Sequence, residues 1–160
     1  MNIREYLTHA IALARQALEC GNYPFGAVLT NEKGEIVATG FNENFSKSDI
    51  SAHAEIQCMR KMDINVLLDP KRKFTLFSSA EPCCACSFFI ARTNITHVYF
   101  ALTDPQKTGL ADLKQNSDFA NFFGTMTVYE EPFADLREQS AALLRQYYTK
   151  LGKPEKAKLY

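Results

Sequence analysis

The sequence has no net charge, because 18 acidic residues balance 18 lysines and arginines. A chain without a positive balance has no general electrostatic attraction for a large polyanion such as RNA. The C-terminal end is nevertheless rich in basic residues, and Glu155 is the single acidic residue among them. The basic residues are Arg145, Lys150, Lys153, Lys156 and Lys158. Such a cluster either touches RNA or forms the solvated end of a helix, and the second arrangement is the commoner one.

Long apolar runs are also missing. No stretch approaches the length that crosses a bilayer, and Met1–Leu18 is interrupted by Arg4, Glu5, His9 and Arg15, which argues against a secretory signal. The five cysteines show no obvious pairing scheme, a usage typical of a reducing compartment. We therefore expect a cytoplasmic protein without a membrane partner.

The chain lacks internal repeats, low-complexity tracts and a convincing linker. Its 160 residues suit one domain, large enough to bury about two-thirds of its unfolded surface. An apolar content of 46% is ordinary for a globular protein. We predict a domain over residues 1–152 and a basic tail over residues 153–160.

Hydrophobic periodicity predicts a first helix over Ile3–Leu18, stopped at Gly21. Further along the chain we predict strands at 25–30, 35–41, 74–79, 96–102 and 125–130. We also predict a helix from about 52, a helix that contains the cysteines of 82–86 and runs to about 92, a short helix near 118–123 and a helix from about 133 to 151. This alternation predicts an α/β fold with helices on both faces of a sheet. Ligands usually bind such sheets at the carboxyl ends of the strands.

One split motif contains the residue types of a metal site: His-Ala-Glu at 53–55 and Pro-Cys-Cys-Ala-Cys at 82–86. Zinc binds sulfur and nitrogen ligands in a tetrahedron, and a catalytic zinc site keeps one position for water. Cys83 and Cys86 are spaced to share one face of a helix, whose N-terminus favours thiolates. We predict that His53, Cys83 and Cys86 hold Zn²⁺.

Glu55 indicates a catalytic rather than a structural metal site. It stands too close to His53 for both to ligate one metal readily from the same helix face, but a carboxylate beside a metal-activated water can transfer protons. The alternative is a structural zinc site. Such sites usually have four protein ligands, and neither Cys84 nor Cys58 is well spaced to be the fourth.

These motifs resemble the H-x-E and P-C-x-x-C signature of zinc-dependent deaminases. Over roughly Ile3–Leu151 the chain is similar to the cytidine deaminase superfamily, specifically the nucleobase-deaminase branch with bacterial guanine deaminases and tRNA adenosine deaminases. The resemblance implies a single-domain three-layer α/β/α sandwich with a central five-stranded mixed sheet. It also implies a homodimer and hydrolytic deamination, in which activated water attacks an amino-bearing ring carbon, Glu55 shuttles protons and ammonia leaves.

Residues 24–28 and 40–42 look like the hairpin with which this family contacts the substrate base. By this resemblance Asn42 hydrogen-bonds the base, Phe25 packs nearby and the Ala54 backbone N–H meets a ring carbonyl. Taken alone, Asn42 is more simply a turn residue after a strand.

The segment 79–83, Phe25 and the run 90–92 look like guanine deaminases. Those enzymes use an additional Asp after the fourth strand and a C-terminal segment that closes the pocket, often with a terminal Tyr. The resemblance implies Asp112 for the first role, with Asp104 as the other candidate, and Tyr160 for the second. The alternatives are that Asp112 caps a helix and that Tyr160 is frayed.

Other segments look like the tRNA enzymes: residues 107–109 after Asp104, and the helical run 141–148. Phe88 and Phe89 stand where the family usually has small residues, and they predict a dimer interface or a narrowed pocket. Because the chain is neutral, the sequence favours a free purine base, with guanine first. The alternatives are a tRNA adenosine-to-inosine deaminase and a non-catalytic zinc-bearing interaction module.

Overall fold

The computed structural model describes residues 2–124 and 126–160, without the side chain of Ala120. Met1, the first residue of the predicted domain, and Thr125, the first residue of a predicted strand, lie outside the described residues. The helices are α1 Ile3–Glu19, α2 Ala54–Arg60, α3 Ile64–Leu67, α4 Cys84–Ile90, α5 Leu110–Gln115, α6 Ala120–Phe123, α7 Ala134–Lys150 and α8 Pro154–Ala157. The strands are β1 Gly26–Asn31, β2 Ile36–Phe41, β3 Phe74–Ser78, β4 Ile95–Phe100 and β5 Thr127–Glu130.

The five strands form one mixed sheet in the order β2-β1-β3-β4-β5. Strand β1 is antiparallel to both β2 and β3, whereas β3, β4 and β5 run parallel. Helices α1 and α7 pack on one face of the sheet, and α2 and α4 pack on the other. The predicted three-layer sandwich around a five-stranded mixed sheet is confirmed.

Each face of the sheet has its own core because successive side chains on a strand point to opposite faces. In β1, Ala27 and Leu29 join the core beneath α2 and α4, and Val28 joins the core beneath α1 and α7. Strand β3 is buried along its whole length, as expected for a strand covered on both faces. Among the described residues, no helix is both long and apolar enough to cross a membrane.

The structure corrects two helix boundaries that matter for the site. The helix predicted from about residue 52 begins at Ala54, and the cysteine helix begins at Cys84, so His53 and Cys83 are N-cap residues. Both have extended backbones, with ψ of 154° and 168°. The prediction that Cys83 and Cys86 project from one helix face was therefore wrong for Cys83, which lies just outside the helix.

Gly40 allows α2 to lie close to β2. A Cβ at this position would stand 2.3 Å from the carbonyl oxygen of Ala54 and 2.7 Å from the backbone nitrogen of Cys58. We expect Gly40→Ala to lower the free energy of unfolding by about 1–3 kcal/mol, because the helix must move away. Urea denaturation measures this change, with Val37→Ala on the same strand as the control of smaller effect. An unchanged unfolding midpoint for Gly40→Ala would show that α2 shifts without cost.

Candidate active site

Three side chains with metal-binding atoms meet at the carboxyl end of β3. The ligand atoms of His53, Cys83 and Cys86 all lie within 4.8 Å of one another. Nδ1 of His53 is 3.5 Å from Sγ of Cys83 and 3.4 Å from Sγ of Cys86. His53, which is thirty residues before Cys83 in the sequence, thus meets both cysteines at one point.

The fold explains why these residues meet. Strand β3 ends at Ser78, where the chain passes β1 through a hydrogen bond from Ser79 N to Gly26 O of 2.9 Å. It then reaches Cys83 and enters α4. Helix α2 begins beside this turn because α2 and α4 share the same core. The cluster therefore lies where ligands usually bind α/β sheets.

The charge of the cluster is concentrated on Cys83. A hydrogen bond from the Cys86 thiol and another from His53 lower the pKa of the Cys83 thiol to about 4, against the opposing effect of burial. The pKa of Cys86 is raised, first by its hydrogen bond to Cys83 and then by burial. The hydrogen bond to Cys83 raises the pKa of His53. One thiolate is thus stabilised by two donors.

This donor set fits zinc. Two sulfurs and one imidazole nitrogen are ligands that zinc prefers, and three protein ligands are typical of catalytic rather than structural sites. Binding a divalent cation releases the protons that the three side chains now share. Among the described residues, no fourth histidine, cysteine or carboxylate belongs to the cluster.

Glu55 lies next to the cluster in a buried position. Its carboxylate oxygens are 3.4 Å from Sγ of Cys86 and 3.5 Å from Oγ of Ser78. Only 6% of its surface is exposed. Burial raises the pKa of Glu55, and the charge of Cys83 adds to this shift. A carboxyl group with a raised pKa beside a metal site is suited to accept and return protons.

A cavity of about 200 Å³ opens beside Cys83. Phe25, Asp104 and Tyr160 are among the residues that line it. The Tyr160 ring stacks on Tyr148 with centroids 6.0 Å apart, and its backbone oxygen accepts a hydrogen bond from Arg145 of 2.7 Å. In the structure Tyr160 is therefore held by the rest of the chain, in contrast to the alternative that it is frayed. A second cavity, of about 530 Å³, lies on the His53 side of the cluster.

Asn42 and Ala54 lie at the same end of the sheet as the cluster. The backbone N–H of Asn42 donates to the Phe25 carbonyl at 2.9 Å. Its buried side chain is hydrogen-bonded to Asn44. Ala54 is the first residue of α2, so its N–H has no partner within the helix. Their contacts to a substrate stay predictions.

The structure distinguishes the two candidate aspartates. Asp112 lies half-buried in the first turn of α5, behind the N-cap residue Gly109. Among the described residues, Asp104 lines the cavity beside Cys83 and Asp112 does not. The role of Asp112 in proton transfer stays a prediction, with Asp104 better placed to meet a molecule in this cavity.

Sequence reasoning missed the role of Glu81 in the cavity wall. Its carboxylate accepts hydrogen bonds of 2.8 Å from the backbone N–H groups of Asp104 and Ala111. The sequence signals were its position two residues before Cys83 and its place in the segment 79–83 that resembles guanine deaminases. Its hydrogen-bond partners come from a segment for which no helix or strand was predicted.

Phe88 and Phe89 have different environments. Phe88 packs against Phe119, Phe122 and Phe123 of the same chain. Phe89 is 58% exposed and lines an apolar groove with residues of α2 and α3. Phe88 therefore has aromatic neighbours within its own chain, and the dimer interface or narrowed pocket predicted from these two residues stays a prediction.

The sequence profile of one family, described as "Cytidine and deoxycytidylate deaminase zinc-binding region", matches residues 1–102. The chain belongs to this deaminase family. The family match together with the His/Cys/Cys cluster shows a deaminase-type domain with residues suited to bind zinc.

Relatives of this chain carry different activities in their names, and two of them bear on the predicted substrates. The tRNA-specific adenosine deaminase of Haemophilus influenzae is 34% identical over 103 residues, which are 64% of this chain and 59% of that protein. The chain thus spans less than two thirds of that relative. The guanine deaminase of Bacillus subtilis is 32% identical over 115 residues, which are 70% of this chain and 73% of that protein.

Solved structures show the same division. A structure from a study of A-to-I editing by tRNA:A34 deaminases has a TM-score of 0.65 and 25% identity, covering 81% of this deaminase and 99% of that chain. The structure of the Bacillus subtilis guanine deaminase has a TM-score of 0.58 and 30% identity, covering 76% of this deaminase and 75% of that chain. The comparisons establish the deaminase family of this chain, and the relatives differ in the substrates that their names give.

Proposed function

We propose that this deaminase acts on a free purine base, with guanine converted to xanthine and ammonia. The observation that carries the proposal is the small size of the cavity beside Cys83. Its volume is about 200 Å³, and Phe25 and Tyr160 form part of its wall. Pockets for drug-sized ligands measure about 300–1,000 Å³, so this cavity suits a single flat heterocycle better than a nucleotide within folded RNA.

In this proposal His53, Cys83 and Cys86 hold zinc, which when bound polarises water and lets it act as a nucleophile near neutral pH. Glu55 accepts the proton that this water loses and returns it to the amino group, which leaves as ammonia. The raised pKa of Glu55 brings its protonated and ionised forms closer in free energy, as proton transfer in both directions requires. Water adds one oxygen to the ring carbon, and the C–N bond breaks.

The remaining predicted residues hold the base. Phe25 and Tyr160 present aromatic rings to a flat heterocycle, and Tyr160 closes the cavity as part of the tail 153–160. We further propose that Asn42 exchanges its bond to Asn44 for one to the base, and that Ala54 N–H donates to a ring carbonyl. Asp112, or Asp104 in its place, assists proton transfer.

A substrate panel tests the proposal. Ammonia release is measured with guanine, adenine, cytosine and cytidine, and inosine formation is measured with tRNA. We expect guanine to give the highest kcat/KM and tRNA to give no inosine. Inosine formation without turnover of any free base would overturn the assignment and support the second candidate.

That second candidate is a tRNA adenosine deaminase, as in the Haemophilus relative. It is favoured by the place of the basic tail: Nζ of Lys156 lies 5.8 Å from the centroid of Tyr148, which in turn stacks on Tyr160 at the cavity. Lysines beside the mouth of an active site can pair with phosphates. If tRNA is the substrate, its binding weakens steeply with added salt, whereas guanine binding does not.

We also propose that the protein is a cytoplasmic homodimer. A groove of about 520 Å³ is lined by apolar residues of α2, α3 and α4, and Ile64 and Phe89 beside it are 59% and 58% exposed. Exposed apolar patches of this kind mark interaction surfaces. We expect sedimentation of the wild type to show a dimer at micromolar concentration and Phe89→Arg to shift it to monomer. Ile36→Arg, on the distant β2 edge, is the matched control. A monomeric wild type contradicts the proposal.

A further inference from the structure

Glu81 is a buried carboxylate that the proposed reaction does not use. It is 8% exposed and stands two residues before Cys83. Oε2 accepts a hydrogen bond from Asp104 N and Oε1 accepts one from Ala111 N, both of 2.8 Å. Its own N–H donates to the Leu102 carbonyl at 2.7 Å. Glu81 therefore connects the loop that carries Cys83 to both ends of the segment 104–111.

Gly109 fits this arrangement. Its backbone, with φ of −94° and ψ of −166°, is open to any residue, so conformation does not explain the glycine. A Cβ at this position, however, would lie 2.4 Å from Cδ and 2.5 Å from Oε1 of Glu81. The Glu81 carboxylate occupies the space that a side chain at position 109 would need. Residues 81 and 109 are thus matched to each other.

The segment 104–109 forms one wall of the cavity beside Cys83, to which Asp104, Gln106 and Thr108 contribute. It folds around the Asp104 carboxylate, which accepts hydrogen bonds from Gln106 N at 3.0 Å and from Thr108 Oγ1 at 2.8 Å. Its far end is held by Leu110 N, which donates to Pro82 O at 3.1 Å. Because these residues are mostly exposed and precede α5, few apolar contacts fix their position.

We propose that Glu81 is a positioning residue that fixes this cavity wall relative to the metal-binding loop and thereby determines the affinity for substrate. The proposal rests on the proposed function of the same site. A carboxylate has two acceptor oxygens for the two amide groups, whereas a glutamine side chain has one. In Glu81→Gln one buried N–H loses its partner, so the wall leaves its binding position for part of the time. Apparent affinity falls by that fraction.

The test compares Glu81→Gln with Glu131→Gln. Glu131 is the matched control because its Oε1 accepts a bond of 2.9 Å from Thr103 N, one residue before the wall, and a glutamine oxygen can accept that bond. Its Oε2 pairs with Arg137 Nε at 3.1 Å at the surface, and that ion pair makes no contact with the wall. We expect Glu81→Gln to raise KM for guanine about tenfold, with kcat changed less than about threefold and zinc content unchanged. Glu131→Gln keeps the wild-type KM.

Amide hydrogen exchange supplies a readout that does not depend on the substrate. In Glu81→Gln we expect faster exchange at Asp104 and Ala111, and in Glu131→Gln no change there. If the wild type does not deaminate guanine, the proposed function fails, while the exchange rates still decide the position of the wall. The proposal is overturned if Glu81→Gln keeps the wild-type KM and its amides stay protected from exchange. It is also overturned if Glu81→Gln loses zinc and its kcat falls.

Gly109→Ala is the second variant if Glu81→Gln does not fold. The added Cβ displaces the carboxylate without removing it, so we expect a similar rise in KM. When both single variants fold, we expect the KM of the double variant to be no higher than that of the more impaired single variant, because both substitutions disturb the same contact. Additive effects on KM would contradict a shared origin.

Discussion

Replacing Glu55 by glutamine is expected to lower kcat for guanine by a factor of about 10²–10⁴ while zinc stays bound. Glutamine has nearly the same shape, but it cannot accept the proton that the attacking water loses or return it to the leaving amino group. The buried carboxylate is adjacent to the cluster, 3.4 Å from Sγ of Cys86. Steady-state ammonia release and metal analysis of the same sample measure both parts of this prediction.

Glu43→Gln is the control for this experiment. Glu43 also contacts α2, through a hydrogen bond of 2.6 Å from Gln57 Nε2, and it pairs with Lys47 rather than with the metal cluster. Its removal is expected to leave kcat close to that of the wild type. Full activity in Glu55→Gln would refute the proton-transfer role, and loss of zinc would show that Glu55 serves the metal instead.

Cys86→Ser is expected to abolish both zinc binding and deamination. Cys86 is fully buried, and its Sγ lies 3.4 Å from Nδ1 of His53. A serine hydroxyl is shorter than a thiolate and is not among the usual zinc ligands. Because the binding energy of the metal contributes to folding, we also expect a lower melting temperature. The zinc-to-protein ratio, activity and thermal unfolding of the variant are measured together.

Cys84→Ser is the matched control, since Cys84 lies on the same helix two residues away but points to solvent. It is expected to retain one zinc per chain and full activity. Retention of stoichiometric zinc in Cys86→Ser, or its loss in Cys84→Ser, would place the metal elsewhere.

The fold was predictable from the sequence because strands and long helices leave strong periodic signals. Helix α1, predicted over Ile3–Leu18, is observed over Ile3–Glu19. Of the short helices, α6 was predicted near residues 118–123, whereas α3, α5 and α8 were missed because their four to six residues show no clear period. The N-cap positions of His53 and Cys83 were also missed, because helix ends are the least certain part of such predictions.

The candidate site was predictable only where a motif contains it. His53, Glu55, Cys83 and Cys86 stand in two short segments whose residue types suit zinc chemistry. The cavity wall is different: Glu81 acts through amides of a loop more than twenty residues away, and Tyr160 reaches the cavity by stacking on Tyr148. Such contacts follow from tertiary packing and leave no local pattern. The substrate depends on these parts, so the sequence left guanine and tRNA adenosine in competition.

The most direct test of the central claim is the X-ray absorption spectrum of zinc in the purified protein. If His53, Cys83 and Cys86 hold the metal and leave one position for water beside Glu55, the spectrum shows two sulfur neighbours at about 2.3 Å and otherwise nitrogen or oxygen. We expect this result with one zinc per chain. A protein that contains no zinc, or zinc with three or four sulfur neighbours, would contradict the claim.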